Sequence, residues 1–66
     1  MEIILNGEVE EVAAKLNLEE LLVQKNLTPG QVVVEHNGDI IKKDELAKTD
    51  LEAKDQVEII SFVGGG

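Results

Sequence analysis

Two Asn-Gly pairs, Asn6-Gly7 and Asn37-Gly38, constrain this chain more firmly than any other feature of it. Asn-Gly readily takes the positive φ angles of a type I′ turn, so each pair predicts a tight hairpin between the apolar runs beside it. Met1–Leu5 and about Glu8–Ala13 make the first hairpin, and Gln31–His36 with Asp39–Ile41 makes the second. Between them the spacing predicts one helix over Asn17–Lys25, with Asn17 as its cap, Glu20 at the capping-box position, and Leu18, Leu21 and Leu22 on one face. Thr28-Pro29-Gly30 suits a turn that ends the helix. Lys42–Asp55 is polar, anchored by Leu46 and Leu51, with a single helical turn expected near Asp44–Leu46. Gln56–Val63 reads as the last strand and runs into Gly64-Gly65-Gly66. The order β-β-α-β-β-β predicts an α+β fold, a mixed sheet with one main helix packed on one face. A chain of 66 residues supports one compact core, so residues 1–63 are expected to form a single domain and 64–66 a flexible tail.

One helix covers one sheet face, and alternation shows which side chains point toward it. Glu58 resists unpaired burial, which places Val57 and Ile59 inward and Ile60 and Phe62 on the open face. With Glu2 and Glu35 outward, Met1, Ile3, Leu5, Val32 and Val34 fall inward and leave Ile4 and Val33 outside. If the three strands are neighbours, Ile4, Val33, Ile60 and Phe62 form one exposed apolar patch, the mark of a docking surface.

Composition excludes several classes of function. The chain carries 14 acidic and 6 basic residues, a net charge of −8, and all the basic residues are lysines. Nucleic acid and anionic membranes are poor partners for such a surface, whereas a basic protein suits it. There is no cysteine, no tryptophan and no tyrosine, and there is one phenylalanine. Thiolate zinc sites, cysteine nucleophiles and aromatic stacking platforms are therefore excluded. His36 lacks the company a metal site needs. Glu10-Glu11 and Glu19-Glu20 diverge as neighbours do on strands and helices, and Asp39, Asp44, Asp50 and Asp55 lack calcium-loop spacing. No catalytic residue, metal site or bound cofactor is expected. Met1-Glu2 opens without a basic leader or a long apolar stretch, which predicts a cytoplasmic protein.

The element order, the Leu-Glu-Glu-Leu-Leu helix and the closing Ile60-Ser-Phe-Val-Gly-Gly-Gly66 together resemble the ubiquitin-like β-grasp sulfur carriers along the whole chain, most closely the carriers of bacterial thiamine biosynthesis. The resemblance implies that a ubiquitin-activating-enzyme-like adenylyltransferase consumes ATP to adenylate the Gly66 carboxylate. A sulfur donor system then makes the thiocarboxylate, and thiazole synthase receives the sulfur. Gly64 and Gly65 would thread a narrow channel, since they lack a Cβ. Ile4, Val33, Ile60 and Phe62 would dock the partners, and the carrier itself would catalyse nothing. Asn17 stands where the family usually has Thr or Ser, and Lys54-Asp55 where Gly-Asp is common; both read as conservative. The molybdopterin synthase small subunit shares fold and tail, but Phe62-Val63 before the glycines favours the thiamine branch. A ubiquitin-like interaction module without sulfur chemistry is the other alternative, and a small enzyme a remote one.

Overall fold

A computed structural model describes residues 1–62. Val63, the end of the expected last strand, and the expected tail of Gly64, Gly65 and Gly66 lie outside the described residues. The elements run β1 (Glu2–Leu5), β2 (Glu8–Glu11), α1 (Leu18–Gln24), β3 (Val32–His36), β4 (Asp39–Ile41) and β5 (Gln56–Ser61), with short 3-10 segments at Pro29–Gln31 and Lys43–Lys48. Asn17 caps α1 reciprocally: its Oδ1 accepts from the Glu20 N–H at 2.8 Å, and the Glu20 carboxylate accepts from the Asn17 N–H at 2.9 Å. The helical turn expected near Asp44–Leu46 is longer than one turn and of 3-10 type.

Both hairpins turn as Asn-Gly predicts, with φ of +50° and +84° at Asn6 and Gly7 and of +51° and +91° at Asn37 and Gly38. The strands order as β2-β1-β5-β3-β4. β1 and β5 are parallel, and the other neighbours are antiparallel. The last strand in sequence is thus the middle of the sheet. Each turn asparagine also joins its hairpin to β5. The Asn6 Oδ1 accepts from the Ile59 N–H at 2.8 Å, and the Asn37 Oδ1 from the Gln56 N–H at 2.9 Å.

Helix α1 covers one face of this sheet. Its Leu18, Leu21 and Leu22 are buried with Ile3, Val34 and Val57, and Leu46 and Leu51 close the core. Met1, Leu5, Val32 and Ile59 pack at its margin. Val12 and Leu16 are also buried, although no strand or helix period marks them. β2 ends at Glu11, so Val12 leaves the ladder expected to reach Ala13, and its N–H bonds to the Met1 carbonyl at 2.8 Å. Leu16 is held by a bond from the Leu51 N–H to its carbonyl at 2.8 Å. No helix among the described residues is long and apolar enough to cross a membrane.

Lys54 corrects one reading of the sequence. Its φ is +70°, a conformation that costs an L-residue about 1–2 kcal/mol. Lys for Gly is therefore not a conservative exchange at this turn. Glycine gives back about 0.5–1 kcal/mol through the entropy of its unfolded state, so Lys54→Gly is expected to stabilise the fold by up to about 1 kcal/mol. That gain corresponds to a rise of roughly 4–8 °C in Tm per kcal/mol for a domain of this size. A thermal melt with an unchanged or lower Tm would show that the turn is unstrained.

Candidate functional site: the open sheet face and the end of β5

Alternation along β5 buries Val57 completely and packs Ile59 against the core, leaving Glu58 and Ile60 outward, as expected. Ile60 is 53% exposed and Phe62 54%. Phe62 follows the strand and is tied to the body by a bond from its N–H to the Gln31 carbonyl at 3.1 Å. Its exposure places the one aromatic side chain outside the core. Val33 lies directly opposite Ile60 in the β3–β5 ladder, so these two residues do meet on the open face.

Ile4 does not join them. β1 pairs with only the first part of β5, where Ile4 is opposite Gln56. Ile60 is four residues further along, or roughly 13 Å at the usual rise per strand residue. Bonds from the Ile4 N–H to the Asp55 carbonyl at 2.8 Å and from the Asn6 N–H to the Val57 carbonyl at 2.9 Å hold that register. Ile4 instead faces Val9 on β2, beside a shallow recess of about 220 Å³ lined also by Glu2 and Lys54. The open face therefore has two apolar regions. Between them the β3–β5 ladder sets Glu35 opposite Glu58, with Ile40 opposite Glu35 on the other side.

His36, given no role from the sequence, proves to be a structural residue. Its Nε2 lies 2.7 Å from an Asp55 carboxylate oxygen, with both side chains less than a fifth exposed. Asp55 also accepts from the Glu52 N–H at 2.8 Å and from the Asn37 side-chain amide at 3.2 Å. Burial alone raises the pKa of Asp55. The hydrogen bonds from His36, Glu52 and Asn37, with the charge of His36, outweigh it and hold the carboxyl below its ordinary 3.8. A depressed folded-state pKa stabilises above the unfolded value and is lost as pH falls through the folded one. The fold is therefore expected to weaken below about pH 4, with Asp55→Asn weaker at neutral pH and less acid-sensitive. Melts across this range check it, and parallel pH profiles for the two proteins would refute it. Nothing local links residues 36 and 55, which is why the pair is invisible in the sequence. Among the described residues, no cluster of three or more His, Cys, Asp or Glu side chains is arranged to hold a metal.

Residues 3–66 match the family model described as the ThiS family. The chain belongs to the ThiS family. It has the ubiquitin-like β-grasp fold expected of that family. A crystal structure of the thiamine biosynthesis protein ThiS from Geobacter metallireducens superposes over 100% of both chains with a TM-score of 0.85 at 33% identity. The sulfur carrier protein ThiS of Bacillus subtilis is 39% identical over 49 residues, 74% of each chain. A thiazole synthase from Magnetococcus marinus is 36% identical over 66 residues, all of this chain. This ThiS-family chain spans 20% of the length of that thiazole synthase and of a similar one from Paramagnetospirillum magneticum. Of the thiamine and molybdopterin branches, the matching Geobacter structure bears the name of the thiamine one.

Proposed function

We propose that this protein carries sulfur as a thiocarboxylate on Gly66 and delivers it to thiazole synthase. The observation that supports the reading best is the family match, which continues through the three glycines to residue 66. A carboxylate is a poor electrophile. In this reading, its oxygen attacks the α-phosphorus of ATP on a ubiquitin-activating-enzyme-like adenylyltransferase, and pyrophosphate leaves. Sulfide-level sulfur supplied by a donor system attacks the acyl carbon, the bond to AMP breaks and AMP leaves with its electron pair, and the glycine ends in a thiocarboxylate. The chain contributes no catalytic side chain and binds no cofactor itself; ATP is consumed by the partner, and we place the exchange in the cytoplasm. Gly64 and Gly65 pass through the partner's channel because no Cβ obstructs it.

We assign docking to the end of the open face where Val33 and Ile60 pair and Phe62 follows. Ile4 belongs to the second apolar region and serves a wider footprint. The reading is tested by incubating the protein with the adenylyltransferase, ATP and a sulfur donor and measuring intact mass. Replacement of one oxygen by sulfur on the C-terminal peptide is expected. An unchanged mass, under conditions that load a known carrier, would overturn the proposal.

A further inference from the structure

The open face carries its charge in an unusual way. Glu2, Glu11, Glu35 and Glu58 all point to this side, and no lysine occupies a position in any of the five strands. Glu35 and Glu58 stand directly opposite each other, a placement in which like charges destabilise a sheet. Among the described residues, no lysine or histidine lies within 4.0 Å of either carboxylate. Glu35 is half-buried, so water screens it less than it would a free side chain. Apolar side chains border the pair on both sides, Val33 with Ile60 at the next rung and Ile40 across on β4. A cation between the two carboxylates would relieve their repulsion, and among the described residues none pairs with either.

Resting on the carrier reading above, we propose that thiazole synthase docks on this face by placing one Lys or Arg side chain between Glu35 and Glu58. Charge complementarity selects a basic protein surface, and apolar side chains around its cation would cover Val33, Ile60 and Ile40. Thiazole synthase is chosen because two relatives bearing that name include a segment matching all 66 residues of this chain. In those proteins the carrier-like segment and the rest of the chain share one polypeptide. A cation seated there cancels the repulsion only in the complex, so the pair weakens the free carrier and strengthens the bound one.

The test uses the full chain with both glutamates changed, Glu35→Gln with Glu58→Gln, against purified thiazole synthase in calorimetric titrations at low and moderate salt. Removal of the repulsion is expected to leave Tm unchanged or raise it by roughly 1–6 °C. Kd is expected to weaken by about tenfold or more, with a flatter dependence on salt. Glu19→Gln, on the exposed side of α1, should leave Kd unchanged. A double variant that binds within twofold of the wild type overturns the seat, as does a wild-type protein that acquires sulfur yet does not bind the synthase. Failure of the wild type to acquire sulfur at all overturns the carrier reading instead, so the two failures are separable.

Discussion

Leu21→Ala is expected to leave this protein at the edge of unfolding at room temperature. Leu21 is fully buried at the centre of the helical face that meets the sheet. Truncating such a leucine costs about 2–5 kcal/mol, part in lost transfer free energy and part in the cavity left behind. A domain of this size holds only roughly 3–10 kcal/mol in total. On the sheet side of the gap, the buried Ile3, Val34 and Val57 are all β-branched, with few rotamers to exchange, so they have little means of collapsing into it. The helix has just seven residues and three buried anchors. Helices this short owe their stability to tertiary packing. A fall in Tm of roughly 10–30 °C is expected. Val23→Ala, on the same helix but 64% exposed, is expected to change stability by less than about 0.5 kcal/mol. Equal melts for the two variants would mean that α1 does not pack as described.

That asymmetry between Leu21 and Val23 is legible in the order of residues alone, because the leucines at 18, 21 and 22 fall on one helical stripe. The hairpins are equally legible, since backbone chemistry explains why Asn-Gly turns where it does. The second task of the same asparagines is not. Asn6 and Asn37 bond to β5, more than fifty and about twenty residues away respectively, and no local rule reports a contact over that separation. The division of the apolar patch is hidden for the same reason. Alternation places Ile4, Val33 and Ile60 on one face but is silent about register, and the parallel ladder of β1 with the start of β5 decides that Ile4 meets Val9 rather than Ile60. Val12 and Leu16 are buried in connecting segments, where neither a period of 2 nor of 3.6 marks them. The strained Lys54 reads as an ordinary polar loop residue until its φ is known. A role set by neighbours along the chain can be read from the sequence, whereas one set by closure of the sheet cannot.

Deleting Gly66 is expected to abolish sulfur loading while leaving the folded body unaltered. The Phe62 N–H bond to Gln31 is the last body contact among the described residues, whose buried hydrophobics form one cluster. Four residues follow Phe62, a reach of at most about 14 Å when fully extended. Shortening by one glycine draws the carboxylate back by roughly 3.5 Å. Reacting atoms must approach to about 3–3.5 Å in aligned geometry, and a displacement near 1 Å already costs about a hundredfold in rate. The truncated chain still ends in a glycine carboxylate, so a loss of loading reports position rather than chemistry. Its Tm and its affinity for the proposed adenylyltransferase should match the wild type within error, because the proposed docking face lies within the described body. Gly65→Ala should act in the same direction but less completely, since it keeps the length and adds one methyl group to the segment proposed to thread the partner's channel. Intact-mass measurement of loading, with a parallel melt and titration, separates the outcomes. A truncated chain that gains sulfur at the wild-type rate would remove Gly66 from the chemistry. One that loses loading and partner affinity together would move the docking determinant from the sheet face to the tail.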